Sequence, residues 1–390
     1  TRWLFPFVAF VSLVSYCEAL LNYRGRFFIP KLAPGIVSGS IAVAALLLAT
    51  RFEEPVYALV AGALVGGLAH LLVCVPPLVK SWGWPAPSLA GVRDPRFRRL
   101  AGERGNVDAI GLVAQVNVVL LRLLASLLAE GSVTQYWYAA RVVDLAQGAV
   151  AVGVGSALLP VISRDAAGGQ WDDFREHFAE AVRLAGLVML PAAALLLVLA
   201  RPVVSILFRH GAFDVASTTQ ASATLQMLVP FMLALAGINI VKKAFFALDD
   251  RSSLVAVGLL GVALTAGLGY PLSSQMGVRG LGLSLSLSTS LQLAAYLVIL
   301  RRRMETPLGC RRLTVPLGKM LVAAVPAALA AAVIAGFGEW DEGPSRLGNW
   351  MLLVAAGLAA GLLYVGLAWG LGVPELRRWL RRGRREEGDS

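Results

Sequence analysis

The chain has 390 residues, of which 57% are hydrophobic and only 15% are charged. Soluble globular domains hold about 45–50% apolar and about 25% charged residues, so this composition excludes an ordinary soluble domain. The net charge of +11 would suit nucleic acid, but the basic residues are spread between apolar stretches, as membrane topology requires. Three cysteines and three histidines are scattered without metal-ligand spacing. We expect no metal site, no cofactor and no nucleic-acid partner.

Apolar stretches long enough to cross a bilayer recur along the whole chain. A transmembrane helix needs about 20 largely apolar residues, whereas the strands of a membrane β-barrel alternate over about 10 residues. The pattern predicts an all-α polytopic membrane protein with about eleven transmembrane helices, at 3–21, 34–50, 56–79, 107–129, 135–162, 183–200, 222–247, 254–273, 279–300, 315–336 and 347–372. Leucine alternates with serine over 283–291, as in a strand. Because a strand in lipid leaves its backbone unpaired, we predict a serine-bearing helix there.

Lysine and arginine lie mainly on one side of these spans. Loops on that side hold 27 of the 35 basic residues, and they are 22–33, 80–106, 163–183, 242–253, 301–319 and 373–390. By the positive-inside rule this side is cytoplasmic, which places the carboxyl end in the cytoplasm and the amino end outside. Since Thr1 opens directly on a span without a signal ahead of it, we expect a truncated chain that has lost an odd number of spans.

Three features between or at the ends of the spans carry predictions of their own. Lys80–Asn106 is rich in proline, tryptophan and arginine, and we interpret it as a cytoplasmic linker between two helical bundles. The segment 171–183 has apolar side chains at i, i+4 and i+8, which predicts an amphipathic helix lying on the cytoplasmic surface. Glu18 lies close to the cytoplasmic end of its span, so we interpret it as interfacial rather than as a proton site.

Two arginines are predicted to lie within the bilayer. Arg122 is near the middle of span 107–129, and Arg141 is six residues into span 135–162. An arginine at a helix centre costs about 2.5–3.5 kcal/mol on insertion scales, so each should face a cavity or a partner. The helical period places both on polar stripes. These stripes are Asp108, Gly111, Gln115, Arg122 and Ser126 on one helix, and Thr134, Tyr138, Arg141, Asp144, Gly148 and Gly155 on the next.

Two interpretations of these arginines remain open. In the first, Asp144 neutralises Arg141 one turn away, and Asp108 or a neighbouring helix neutralises Arg122. In the second, the guanidinium groups bind an anionic headgroup, because the guanidinium fork suits phosphate oxygens and stays charged at any relevant pH. The candidate substrate-binding residues are then Arg141, Arg122, Tyr138, Gln115 and Asp144. The sequence has no Gly-rich phosphate loop and no H-E-x-x-H or G-x-S-x-G motif, so we predict a protein that moves a molecule and is not an enzyme.

Several short motifs occur in a recognisable order. They are Phe5-Pro6 with Leu21–Phe27, Gly131–Thr134 with Tyr136–Arg141, Leu158–Arg164, Phe208–Phe213 and Lys243–Asp250. Together they resemble the MurJ (MviN) lipid II flippase family of the multidrug/oligosaccharidyl-lipid/polysaccharide exporter superfamily. The similarity is densest over 106–300.

The resemblance implies a two-lobe, V-shaped bundle with a central cationic cavity and two extra carboxyl-terminal helices that form a groove for a polyprenyl tail. It assigns three spans of the amino lobe to 1–79, the cytoplasmic linker to 80–106, the carboxyl lobe to 107–300, and two extra spans with a basic tail to 301–390. In this arrangement Arg141 contacts the diphosphate of the substrate. The family's first spans, which carry further essential arginines, are absent from the chain.

The chain departs from the family at three places. Ala140 stands where the family usually has aspartate, and Leu121 where many members have an acidic residue. Span 254–273 offers Thr265 but no carboxylate, so the family's sodium site is incomplete here.

The implied function is a flippase that translocates lipid II, the lipid-linked peptidoglycan precursor, across the bacterial cytoplasmic (inner) membrane by alternating access. It would act as a monomer whose partners are this polyprenyl-diphosphate-linked saccharide and membrane lipids. One alternative is an exporter of another polyprenyl-linked saccharide. The other is a membrane enzyme acting on polyprenyl phosphates, which would need carboxylates or histidines converging near the interface.

Overall fold

The computed structural model describes residues 2–23, 28–29, 34–82, 95–154, 158–303 and 310–376, without the side chains of 81–82, 95–108, 149–154, 158–159 and 310–311. Helices make up this part of the chain, and no strand occurs in it, which confirms the all-α prediction. The helices are α1 Phe5–Tyr23, α2 Pro34–Leu48, α3 Val56–Trp82, α4 Pro95–Ser126, α5 Ser132–Val154, α6 Leu158–Ala167, α7 Trp171–Phe208, α8 Val215–Ala247, α9 Arg251–Met276, α10 Val278–Arg303, α11 Cys310–Ala335 and α12 Leu347–Gly370. Short 3-10 helices span Arg2–Leu4, Ala49–Arg51 and Trp340–Ser345.

Among the described residues, ten helices are long and apolar enough to cross a membrane. The helix α5 is not one of them, although it has 23 residues. Its sequence includes Gln135, Arg141, Asp144 and Gln147, which lower its mean hydropathy. The structure ends α5 at Val154 and begins α6 at Leu158; residues 155–157, within the predicted span 135–162, lie outside the described residues.

The prediction of a separate surface helix at 171–183 is wrong. Trp171 begins α7, a single helix of 38 residues that continues to Phe208. Phe174 and Phe178 are 0% and 1% exposed and belong to the main hydrophobic cluster of the protein. The apolar side of this segment therefore packs against other helices, whereas the amphipathic pattern had predicted that it lies on the membrane surface.

The chain forms two compact units, Thr1–Arg99 (unit 1) and Leu100–Ser390 (unit 2). In unit 1, α3 packs against both α1 and α2. Gly66 allows the approach to α2, because a Cβ at this position would lie 2.9 Å from the Cα of Val37. Gly62 is one turn earlier, which gives the small-xxx-small spacing that brings membrane helices close together.

In unit 2, α8 packs against α10 where Pro230 interrupts α8. Proline removes one backbone N–H and displaces the turn before it, which frees backbone groups inside the helix. The hydroxyl of Ser286 accepts a hydrogen bond from the Phe231 N–H at 3.1 Å and donates one to the Met227 carbonyl at 2.5 Å. The Ser286 hydroxyl therefore bridges the Phe231 N–H and the Met227 carbonyl, which would be hydrogen-bonded to each other in an uninterrupted helix. The predicted serine-bearing helix is thus confirmed as α10.

The two last helices, α11 and α12, pack against each other and against α7 through a seam rich in alanine. Small side chains such as Ala324 and Ala360 are almost fully buried there, which lets the helices approach closely. The Tyr364 hydroxyl donates a hydrogen bond to the Leu187 carbonyl at 2.9 Å. The additional carboxyl-terminal pair therefore has a defined place on unit 2.

Candidate substrate-binding site

The five predicted site residues all lie on one helical hairpin, formed by α4, the turn 127–131 and α5. Arg122 on α4 contacts Trp137 on α5. Its guanidinium carbon lies 5.0 Å from the ring centroid of Trp137. Arg122 is four residues from the end of α4 at Ser126, so it lies nearer the helix end than its predicted place at mid-span. A guanidinium over an indole face makes a favourable cation–π interaction, which stabilises the observed position of Arg122.

Arg141 lies near the middle of α5 and is only loosely held by its neighbour. Its Nη1 is 3.6 Å from Asp144 Oδ2, and the two side chains are 70% and 61% exposed. This separation is too long for a hydrogen bond, and exposed ion pairs contribute about 0–1 kcal/mol. Most of the five guanidinium N–H donors of Arg141 are therefore left for another acceptor.

Tyr138 has a different environment from the arginines. Its ring stacks on Phe208 with centroids 4.4 Å apart and an interplanar angle of 12°, and it contacts Phe213 at 5.2 Å. These two aromatic residues are the first and last of the motif Phe208–Phe213. The packing fixes α5 against the end of α7, one turn before Arg141.

Gln115 is exposed on α4, eleven residues before the helix ends. Arg141 is nine residues after α5 begins. At about 1.5 Å per residue, Gln115 lies about 17 Å and Arg141 about 14 Å along its own helix from the turn that joins α4 and α5. Both predicted stripes are exposed wherever their side chains are described, apart from the half-buried Tyr138.

The two polar stripes have charges that favour an anionic ligand, whereas Glu130 lies outside them in the turn. Arg122 and Arg141 contribute two positive charges, against one negative charge from Asp144 among the described side chains of the two stripes. Asp108, the other predicted acidic partner of Arg122, lies outside the described side chains. Two guanidinium groups with free donors can bind phosphate oxygens bidentately, while the Asp144 carboxylate attracts Arg141 without binding it tightly.

Sequence reasoning missed the contact with Trp137, although the spacing held a signal. Trp137 precedes Arg141 by four residues, so the two side chains are neighbours on the same face of α5. The Trp137 indole lies beside Arg141 and stacks on Arg122. It therefore lies at the centre of a cationic surface.

A second feature was also missed. Unit 2 contains a cavity of about 240 Å³ among α4, α8, α9 and α10. Its polar lining residues are Asn117, Lys242, Thr265, Thr289, Gln292 and Tyr296. Lys242 is the charged residue among those that line the cavity, and the Oδ1 atom of Asn117 is buried without a hydrogen-bond partner. The span that offers Thr265 thus faces a lysine ammonium rather than a carboxylate.

Comparison with solved structures identifies the fold. A structure titled as the lipid II flippase MurJ in an inward closed conformation superimposes with a TM-score of 0.73 at 18% identity, covering 95% of this chain and 74% of that one. An inward-facing MATE family multidrug resistance transporter of the MOP superfamily superimposes with a TM-score of 0.66 at 15% identity, covering 78% of this chain and 70% of that one. The fold is that of the polytopic helical exporters.

Comparison with protein families identifies the chain more closely. The family model described as lipid II flippase MurJ matches residues 1–351, so the chain belongs to the MurJ family. A probable lipid II flippase MurJ from Vibrio cholerae is 26% identical over 297 residues, which are 74% of this chain and 55% of the relative. The lipid II flippase MurJ from Burkholderia cenocepacia is 27% identical over 386 residues, 95% of this chain and 73% of the relative.

The chain therefore spans about half the length of the Vibrio relative and about three quarters of the Burkholderia one. Family membership and the ten candidate spans of the described residues make it a multi-pass protein of the bacterial inner membrane.

Proposed function

We propose that this protein translocates lipid II across the inner membrane by alternating access. Its relatives are named lipid II flippases, which supports the proposed substrate. The observation that carries the proposal is the exposed, loosely paired guanidinium of Arg141, on the helix that bears the family motif. A structural arginine in a bilayer would be enclosed by its partners, whereas this one keeps donors available.

The hairpin supplies the groups that a lipid diphosphate needs. Arg141 and Arg122 bind phosphate oxygens, and Gln115, at a similar distance from the turn, donates hydrogen bonds to the same headgroup. Asp144 orients Arg141 and limits the net positive charge, so that the headgroup is bound weakly enough to be released. Tyr138 acts through its aromatic packing, which fixes the height of Arg141.

The polyprenyl tail requires an apolar surface that stays in contact with lipid. The described parts of α11 and α12 expose many large apolar side chains, among them Leu321, Val325, Leu329, Leu358 and Leu362. We assign the tail to these two helices. Residues 1–79 would be part of the amino lobe, 107–300 the carboxyl lobe and 80–106 their linker, with the carboxyl end in the cytoplasm and a single chain as the working unit.

The direction of transport needs an energy source, and the cavity beside Thr265 bears on it. A sodium site needs several oxygen ligands and gains from negative charge, whereas this cavity contains the Lys242 ammonium. We therefore assign no sodium coupling to it, and we expect flipping to proceed equally in sodium and potassium buffers.

The proposal is tested with the full-length protein in vesicles and fluorescently labelled lipid II. We expect labelled lipid II to cross the bilayer and a fluorescent phospholipid of similar size to remain on its side. Movement of other polyprenyl-diphosphate saccharides at the same rate would favour the broader exporter alternative. Release of phosphate or transfer of sugar by the purified protein would contradict the proposal that it is not an enzyme.

A further inference from the structure

An ionisable pair lies within the membrane-spanning part of unit 1. His70 Nε2 is 3.2 Å from Glu18 Oε1, and the two side chains are only 10% and 25% exposed. Both residues belong to candidate spans, Arg2–Tyr23 and Val56–Lys80. His70 follows the start of α3 by 14 residues, about 21 Å, which places it near the middle of its span. The partner on α3 shows that Glu18 points into the helix bundle.

The surroundings of the pair are apolar. Cys17 and Cys74 are buried beside it, in a cluster that also contains Leu21 and Leu78. The helix α2, which packs on α3, has no titratable residue. The other titratable groups on the helices packed against α3 are exposed, and they are Arg2, Tyr16, Tyr23, Arg51, Tyr57 and Lys80.

The exposed charges lie far from the pair. Arg2 and Arg51 belong to the short helices at the opposite end of α1 and α3, about 20 Å from His70 along the helix axis. Lys80 lies ten residues beyond His70 on α3, about 15 Å along the axis. Within the described part of unit 1, the charge of Glu18 is therefore balanced by His70 or by a proton.

The charge of the pair depends on a single proton. With one proton shared between imidazole and carboxylate the pair is neutral overall, and the imidazolium donates to the carboxylate. Without that proton a net negative charge remains in a region where charge is costly. Proton loss is therefore linked to the arrival of water at the pair.

We propose that Glu18 and His70 form a proton-binding site that takes up one proton when α1 and α3 close around it and releases that proton when water enters between them. The balance is simple: a neutral imidazole, a carboxylate and one proton give an imidazolium–carboxylate pair. Apart in water near pH 7.5, histidine is neutral and glutamate is ionised. The closed arrangement thus binds one proton more, and its population relative to the open one falls up to tenfold for each unit of pH increase.

The protonation step stands on the geometry of unit 1, and its use as a driving force rests on the proposed transport function. The first experiment therefore does not need transport. Full-length protein with ¹⁵N-labelled histidine is placed in nanodiscs of phosphatidylethanolamine and phosphatidylglycerol, and the His70 signal is identified by its loss in His70→Gln. At pH 7.5 we expect an imidazolium at His70. A neutral His70 in this wild-type sample would overturn the proposal.

The variant Glu18→Gln keeps a hydrogen-bond acceptor but removes the charge. We expect it to leave His70 neutral at pH 7.5, whereas Glu53→Gln, an exposed carboxylate in the turn before α3, leaves the imidazolium in place. An unchanged imidazolium in Glu18→Gln would show that the carboxylate does not hold the proton, and would overturn the pair as the site.

The second experiment imposes a pH difference across vesicles that contain labelled lipid II. We expect the wild-type flipping rate to respond to the pH difference, and that of Glu18→Gln to be insensitive to it. If wild-type vesicles flip nothing while His70 is an imidazolium, the proposed function fails and the proton site stands. If flipping occurs with a neutral His70 and ignores the pH difference, the proton site fails and the function stands.

Discussion

Arg183 on α7 donates a hydrogen bond from Nε to Oε1 of Glu375 at 2.5 Å, although 192 residues separate them along the chain. The two side chains are 6% and 1% exposed. Arg183 also donates to Oε1 of Glu176 at 2.9 Å. The contact therefore ties the segment that follows α12 to the first half of α7, through a buried ion pair with a third charged partner.

Removing one member of this pair should destabilise the protein strongly. Breaking a buried ion pair costs about 3–5 kcal/mol when it leaves an uncompensated charge. Because Glu176 still pairs with Arg183 after Glu375→Gln, we expect this substitution to lower the free energy of unfolding in detergent by about 1–3 kcal/mol, the cost of a buried polar group that loses its partner. Thermal unfolding followed by tryptophan fluorescence measures the effect.

The matched control for this prediction is the exposed pair between Arg201 and Asp341, with 2.6 Å between Nη2 and Oδ1 and side chains 49% and 64% exposed. Exposed pairs contribute about 0–1 kcal/mol, so Asp341→Asn should have little effect. Equal losses of stability in Glu375→Gln and Asp341→Asn would contradict the role of burial.

Ser286→Ala should destabilise unit 2 by about 1–2 kcal/mol. The substitution leaves the Phe231 N–H and the Met227 carbonyl without their bridging hydroxyl, and each is part-buried where water cannot replace it. The measurement is a double-mutant cycle with Pro230→Ala, since an uninterrupted α8 can pair the two backbone groups itself.

The control for this cycle is Ser274→Ala on α9, because that hydroxyl is exposed and bonds only to the Pro271 carbonyl. We expect it to change stability by less than about 0.5 kcal/mol. A Ser286→Ala effect of the same size with and without Pro230 would show that the serine does not repair the interruption.

The first turn of α8 should depend on pH through Asp214. Its carboxylate accepts a hydrogen bond from the Ser217 N–H at 2.8 Å, and this bond holds the pKa of the Asp214 carboxyl below its ordinary value. A lowered pKa means that the stabilisation is present above the ordinary pKa and is lost as pH falls through the lower, folded value. Hydrogen exchange at Ser217 between pH 6 and pH 3 should show the loss.

The substitution Asp214→Asn retains a capping oxygen without the charge. We expect it to protect Ser217 equally at both ends of that pH range. A fall in protection at low pH that is the same in Asp214→Asn would assign the effect to another group.

Trp137→Leu should weaken the hold on Arg122. An exposed cation–π contact contributes about 0.5–1 kcal/mol, so the loss corresponds to an effect of about twofold to fivefold on lipid II binding. Trp137→Phe keeps a ring face and should bind almost as the wild type. Binding to the protein in nanodiscs measures both, and equal binding by Trp137→Leu would contradict a role for the contact.

Periodicity predicted the elements that depend on local pattern. The helix at 278–303 was predicted, although its serines alternate with leucine, because an open strand in lipid would leave its backbone unpaired. The helical period likewise placed the five candidate site residues on the polar faces of two consecutive helices, which form one hairpin. These inferences succeed because backbone satisfaction and side-chain spacing are local properties of the sequence.

Contacts between distant segments were not predictable in this way. The pattern at 171–183 is the same for a helix on a membrane and for one that buries Phe174 and Phe178 against protein. The position of Glu18 was interpreted from its own helix alone, and its partner His70, which lies 52 residues away, was not predicted. Such pairings depend on how the helices assemble, which hydrophobic spacing alone does not specify.

The central claim is that Arg141 holds the substrate's diphosphate, and the most direct measurement is flipping of labelled lipid II by full-length Arg141 variants in vesicles. Arg141→Ala should flip lipid II at least about a hundredfold more slowly, since a charge-assisted contact with the diphosphate, about 2.7 kcal/mol or more, is lost. Arg141→Lys should retain part of the rate, because it keeps a point charge without the fork. A normal rate in folded Arg141→Ala protein would contradict the account.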